Sequence, residues 1–236
     1  MMIIFFDHSN KNDSFLFSSW LIYIGLSTRI ARFKTQLNQE ETMNILTLLG
    51  SPRPNGNTAT VLKTIEAEFT RNGHAVERIN IPQKKINGCL GCNKCRRASD
   101  AIGCVQQDDA TDVLQRMISA DMVLFATPVY YWGMTAQLKA LVDRTNALIT
   151  NYGEPDQTSL IREKPLALMA TGGGVYENNI LLFKEFDKIA KALLAENIGE
   201  LHIGECLTPK DITPETLDIG TDFARSLLKR VDDMRQ

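Results

Sequence analysis

Four of the five cysteines fall in one short run, Cys89, Cys92, Cys95 and Cys104, spaced C-x2-C-x2-C-x8-C. Thiols crowded in this way suit metal, cluster or redox chemistry better than structural disulfides, and they point to a reducing compartment such as the cytoplasm. The tight C-x2-C-x2-C stretch can wrap three thiolates onto one face of a 4Fe–4S cluster, and Cys104 can close the fourth corner. Four cysteines also suit tetrahedral zinc, and the run can stand as bare thiols. The three readings stay open at this point. Lys94, Arg96 and Arg97 lie among the cysteines, and positive neighbours favour thiolate and offset cluster charge. Cys206 stands apart and reads as a small buried hydrophobe. The three histidines, His8, His74 and His202, show no helical pairing, which argues against a histidine metal site.

A second stretch has the makings of an anion site. Gly50-Ser51-Pro52-Arg53-Pro54-Asn55-Gly56-Asn57-Thr58 follows a short apolar run and precedes a helical one. A helix N-terminus offers free N–H groups and the positive end of a dipole. Ser51, Asn57 and Thr58 add side-chain donors and Arg53 adds a fixed charge. Gly56 is followed by Asn57, not by Lys-Ser/Thr, so the loop lacks the lysine of a β/γ-phosphate reader. It also lacks G-x-G-x-x-G, so the dinucleotide fingerprint is absent. What remains is a cradle for one phosphate, set against the plainer reading of a Gly/Pro turn.

Strands and helices alternate from residue 43 onward. Asn44–Leu49, Ala75–Ile81, Asp121–Thr127, Pro165–Ala170 and Ile198–Ile203 read as strands, the central ones continuously apolar. Helical spacing covers Asn57–Arg71, Ala110–Ser119, Gly133–Ile149, Asn178–Glu196 and Pro214–Met234, with Asp108-Asp109 ahead of the second helix. Five strands separated by helices predict a doubly wound parallel sheet, an α/β fold with helices on both faces. Ligands bind such sheets at the strands' carboxyl ends, where the unusual loops after strands one, three and four would meet. Residues 43–236 are expected to form this one domain. Residues 1–42 are expected to be an extension outside the fold, with a basic, membrane-surface segment at Thr28–Lys34 as the lesser reading. The apolar stretch Phe15–Leu26 is too short to span a bilayer. With 26 basic and 28 acidic residues, the near-neutral chain has no built-in field for nucleic acid or an anionic membrane. G-x-S-x-G and H-E-x-x-H are absent, which removes the corresponding hydrolase readings.

GSPRPNGNT after strand one, PVYYWGMTAQLKALVDR after strand three and TGGGVYEN after strand four together resemble the flavodoxin-like NAD(P)H-dependent FMN reductase family. The cysteine run resembles that of its iron–sulfur flavoprotein subgroup, with a longer last gap, and cluster-free relatives carry a similar run followed by Asp-Asp. The resemblance covers residues 43–236 and implies a flavodoxin-like fold, bound FMN, NAD(P)H as co-substrate and a homodimer or homotetramer. It places Ser51, Arg53, Asn57 and Thr58, with Asn55 in the same turn, at the flavin phosphate. Pro128, Val129, Tyr130, Tyr131, Trp132, Gly133 and Met134 match the loop along the flavin ring, where backbone N–H groups can meet its polar edge and aromatics its faces. Three consecutive aromatics cannot all point inward, so at least one should face the crevice. Thr171, Gly172, Gly173 and Gly174 match the third flavin loop. Lys139, Asp143 and Arg144 match the pattern too, but read as a surface ion pair and a helix-end charge.

The function this implies is transfer of electrons from NAD(P)H to FMN and on to a small acceptor: a quinone, nitroaromatic, flavin or metal ion. No side-chain acid or base is required. A different reading is an electron carrier, in which FMN and a cysteine-bound cluster relay single electrons between partner proteins. A third is a thiol sensor with a structural flavin.

Overall fold

The computed structural model describes residues 42–236. The expected extension thus lies outside the described residues, Thr42 apart. The chain runs β1 (Asn44–Leu49), α1 (Asn57–Arg71), β2 (Ala75–Asn80), α2 (Ala110–Ser119), β3 (Met122–Pro128) and α3 (Ala136–Arg144). It continues through β4 (Ile149–Thr150), β5 (Thr158–Ser159), β6 (Pro165–Thr171), α4 (Tyr176–Ala192), β7 (Glu196–Ile203) and α5 (Pro214–Arg235). Five strands form one parallel sheet in the order β2-β1-β3-β6-β7. The order reverses between β1 and β3, so the crevice of this flavodoxin-like sheet opens at their carboxyl ends.

Period-two alternation divides the apolar strands between two cores. Leu46 and Leu48 of β1, Val123 and Phe125 of β3 and Leu166 and Leu168 of β6 face α2, α3 and α4. Ile45 and Leu49, Leu124 and Ala126, and Ala167 and Met169 face α1 and α5. Burial on both faces is why these strands read as continuous apolar runs. No helix among the described residues is long and apolar enough to cross a membrane.

Several elements depart from the sequence reading, among them the helix expected over 178–196, which runs Tyr176–Ala192. The helix expected over 133–149 is confined to Ala136–Arg144, because Thr135 caps its start by accepting from the Leu138 N–H (3.3 Å) and a 3-10 turn over Thr145–Leu148 follows. Ile149–Thr150 then pairs antiparallel with Thr158–Ser159 in a small ladder absent from the sequence reading. β7 begins at Glu196, two residues early, and a register shift opposite Leu166 and Ala167 absorbs the extra length.

Candidate active site

Three loops meet at the β1–β3 switch. The first leaves β1 at Gly50, whose N–H donates to the Ala126 carbonyl (2.7 Å) and whose carbonyl accepts from the Thr135 hydroxyl (2.8 Å). A Cβ at Gly50 would stand 2.9 Å from that of Leu138, so only glycine lets α3 approach this closely. Ser51 Oγ accepts from the Arg53 N–H (3.2 Å) and shapes the turn. Arg53 and Asn55 are exposed, and the Arg53 guanidinium makes no ion pair among the described residues. α1 starts at Asn57 with no side-chain cap and no acidic residue in its first turn. Its leading N–H groups and dipole are therefore open to an anion, and this end of the molecule fits a phosphate.

The polar side chains at the head of α1 are engaged inside the fold. Thr58 and Thr171 share a buried hydroxyl–hydroxyl bond of 2.6 Å, which stitches the first loop to the end of β6. The Asn57 amide donates to Cys206 Sγ (3.0 Å), the Cys206 carbonyl (3.3 Å) and the Thr208 carbonyl (2.9 Å), holding the loop after β7. Cys206 is buried, as its sequence setting suggested, and burial pushes its thiol up from the ordinary range.

The second loop follows β3. Pro128 pairs with Thr171 across the β3–β6 register, and the Val129 N–H donates to the Thr171 carbonyl (2.8 Å). Tyr130 and Gly133 exchange two backbone bonds of 3.0 Å and close a two-residue turn. Its central residues, Tyr131 (φ 48°) and Trp132 (φ 63°), both lie in the left-handed region. Such turns favour Asn-Gly, and two bulky residues there hold strain of roughly 1–3 kcal/mol each. The strain secures no core packing, since Tyr131 is 94% and Trp132 55% exposed. Tyr130 is exposed as well, so all three aromatics stand outside the core, while Met134 is buried. The N–H groups of Tyr131 and Trp132 have no acceptor among the described residues.

The third loop leaves β6 at Thr171. The Gly172 N–H donates to the Ile203 carbonyl (3.0 Å) and its carbonyl accepts from the Cys206 N–H (2.9 Å). An added Cβ at Gly172 would stand 3.1 Å from Val129 Cγ2, at Gly173 2.5 Å from Leu207 Cδ2, and at Gly174 3.2 Å from Asn178 Cβ. The chain's own packing is thus tight around the glycine run, with the 2.5 Å approach at Gly173 made by the exposed, movable Leu207 side chain. Gly133 differs, because its Cβ would meet nothing closer than 3.8 Å. Buried Asn179 supports the loop from below through His202 Nε2 (3.0 Å). Burial pushes the His202 ring down from its ordinary value against the pull of Glu177.

The cysteine run forms a separate wall. Cys89, Cys92, Cys95 and Cys104 all line one small cavity of about 40 Å³, together with Arg144 and Asn146. Among the described residues no three His, Cys, Asp or Glu side chains converge into a ligand set as they stand. Thiols are the donor type an iron–sulfur group takes, but these four line the space without converging on one point. Arg144 corrects the sequence reading of a helix-end charge. It is buried and donates to Asp108 (2.8 and 3.1 Å), to the Asn87 carbonyl (3.0 Å) and to Cys104 Sγ (3.2 Å). Burial works against the Asp108 charge, but the bonds from Arg144 and the Asn87 and Ala110 N–H groups hold its carboxyl below the ordinary value. Arg96, expected beside the cysteines, stacks on Tyr152 at 4.1 Å instead. Lys139 and Asp143 form the expected exposed ion pair.

Thr135, Asn146, Asn179 and His202 were missed from sequence. Thr135 carried a signal, a threonine at the start of a helical pattern. The others act through contacts distant in the chain, which local spacing does not reveal.

A family profile described as NADPH-dependent FMN reductase matches residues 43–195. The chain belongs to that family. It is an NAD(P)H-dependent FMN oxidoreductase by this membership, with the fold the family resemblance implied. The iron–sulfur flavoprotein MJ1083 of Methanocaldococcus jannaschii is 31% identical over 196 residues, covering 80% of this chain and 95% of the relative. YwqN of Bacillus subtilis, provisionally named an NAD(P)H-dependent FMN-containing oxidoreductase, is 27% identical, covering 80% of this chain and 99% of the relative. Among solved structures, an azoreductase from Bacillus anthracis superposes with a TM-score of 0.61 at 17% identity, over 80% of this chain and all of that one. That likeness concerns the fold alone.

Proposed function

We propose that this FMN reductase-family protein holds FMN in the β1–β3 crevice and passes electrons from NAD(P)H to a small acceptor such as a quinone, nitroaromatic, flavin or metal ion. The observation that carries the reading is the uncapped head of α1 beside the exposed Arg53, facing the same sheet end as the strained Tyr131–Trp132 turn. Bound FMN would supply the hydride acceptor and electron donor. The leading N–H groups of α1 and Arg53 hold the phosphate. The left-handed turn presents the Tyr131 and Trp132 N–H groups and their exposed rings, which would border the flavin and shape the acceptor's entry. Thr58–Thr171 and Thr135–Gly50 keep the three loops in fixed relation. Proton transfer needs no dedicated side chain. Arg53→Ala removes a charge-assisted phosphate contact of about 1.5–3 kcal/mol, so FMN should bind about 10- to 100-fold more weakly in a fluorescence titration. Unchanged affinity would refute the phosphate placement.

A second reading concerns the cysteine wall, which would hold a 4Fe–4S cluster and relay single electrons to a partner protein. Four thiols on one cavity and the names of relatives such as MJ1083 support it. Iron and sulfide analysis of protein purified without oxygen tests it, with about four irons per chain expected. A homodimer or homotetramer in the cytoplasm belongs to the same proposal, and light scattering reads the oligomer.

A further inference from the structure

Backbone packing brings two of the four cysteines of the run side by side. Gly103, which precedes Cys104, lies directly against Cys95. A Cβ on Gly103 would stand 2.7 Å from Cys95 Cα and 2.4 Å from the Cys95 carbonyl oxygen. The Gly103 and Cys95 Cα atoms are thus about 4 Å apart. Cys104 follows one Cα step of about 3.8 Å further on, so the Cα atoms of Cys95 and Cys104 are separated by at most about 8 Å. Ordinary disulfides span about 4.4–6.8 Å between Cα atoms. Both side chains line one cavity, and both pack, partly buried, against the core beneath α2, α3 and α4. The backbone between them is pinned. The Ala98 N–H donates to the Cys95 carbonyl (3.1 Å), the Gly103 N–H to the Ala147 carbonyl (3.1 Å) and the Asn151 N–H to the Ala98 carbonyl (3.0 Å). Arg144 Nε and the Asn146 amide, two residues apart, donate to Cys104 Sγ (3.2 Å) and Cys95 Sγ (3.3 Å), so both sulfurs lie on the same short stretch of chain. Cys89 and Cys92 are exposed.

We propose that Cys95 and Cys104 are a dithiol pair that a hydroperoxide oxidises to a disulfide. One sulfur attacks a peroxide oxygen and the O–O bond breaks, leaving a sulfenic acid and, from hydrogen peroxide, one water. The second sulfur attacks the sulfenic sulfur, the S–S bond forms and a second water leaves. Each thiol gives up one proton and one electron, and the two peroxide oxygens take them. A disulfide takes up no guest, so a cavity of about 40 Å³ does not limit it. The pinned backbone favours this pair over the exposed Cys89 and Cys92, because little freedom is left to lose when the bond closes. In a reducing compartment such a bond is transient and senses redox state. Here the run acts as bare thiols, independently of any flavin. The oxidised chain keeps only two of the four donors a cluster would use, so bridge and cluster exclude each other.

Trypsin separates the pairings, because Lys94, Arg96 and Arg97 put Cys89 and Cys92 on one peptide, Cys95 on a second and Cys104 on a third. The full chain is reduced, freed of reductant, treated with hydrogen peroxide, alkylated in denaturant, digested and read by mass spectrometry. Free thiols should fall from five to three per chain, with the Cys95 and Cys104 peptides joined as the main product, and a thiol reductant should restore all five. Cys95→Ser and Cys104→Ser should each abolish the joined pair, and Cys89→Ser should leave it. Gly103→Ala, whose methyl would meet the Cys95 backbone, should lower its yield. A treated wild-type chain that keeps five thiols would overturn the proposal. So would a product in which Cys89–Cys92, a bridge between chains or singly over-oxidised cysteines stand in place of the Cys95–Cys104 pair.

Discussion

Asp108→Ala should destabilise the domain more than any surface change in the cysteine region. The Asp108 and Arg144 side chains are 5% and 1% exposed. Removing the carboxylate leaves the guanidinium with the Asn87 carbonyl and Cys104 Sγ, but with no counter-charge. It also strips acceptors from the Asn87 and Ala110 N–H groups. Breaking one side of a buried pair costs about 3–5 kcal/mol. In a domain of this size each kcal/mol moves Tm by about 2–4 °C, so a loss on the order of 10 °C is expected. Calorimetry or urea unfolding reads it directly. The double variant Asp108→Leu/Arg144→Met should lose less than Asp108→Ala alone, since no charge is orphaned. The pH arm has a defined sign. Asp108 is held below its ordinary 3.8, so its contribution is present above that value and lost as pH falls through the folded-state value. The gap between wild type and Asp108→Ala should therefore hold from neutral pH down to about 4 and close below it. A single variant within about 2 °C of wild type, or a double variant worse than the single, would refute the reasoning.

Further expectations address the flavin crevice. Replacing Tyr131-Trp132 by Asn-Gly suits the left-handed turn and should leave apo-protein stability unchanged or raise it by about 1–3 kcal/mol, while FMN affinity falls; a drop in Tm would show that the aromatics are structural. Thr135→Val removes the hydroxyl that caps α3 and satisfies the Gly50 carbonyl, so a loss of about 1–2 kcal/mol in urea unfolding is expected. Gly172→Ala forces Val129 to give way, with a cost of about 1–3 kcal/mol and weaker FMN binding by fluorescence.

Much of this architecture is visible in the sequence because both sheet faces are buried. Continuous runs such as Met122–Ala126 admit few alternatives to a central parallel strand, and the loops after β1, β3 and β6 then fall at one sheet end. What stayed hidden depends on contacts distant in the chain or on conformations that propensity argues against. Arg144 ends a helix, where a cation is ordinary, and only its meeting with Asp108 and Cys104 across some 40 residues makes it a buried partner. The bonds from Asn57 to Cys206 and Thr208 likewise join segments about 150 residues apart. Left-handed Tyr131 and Trp132 run against steric preference, so no local rule foretells them. The two-residue strands β4 and β5 are too short to carry a period.

The central claim is that the β1–β3 crevice binds FMN and exposes it to a nicotinamide. Its most direct test is an anaerobic titration of purified protein, first with FMN and then with NADH and NADPH, following the visible flavin absorbance. The account predicts about one FMN retained per chain by the single cradle at α1, and bleaching of the flavin band by at least one of the two nucleotides. Protein that retains no flavin after excess FMN, or holds it in a form that neither nucleotide reduces, would contradict it.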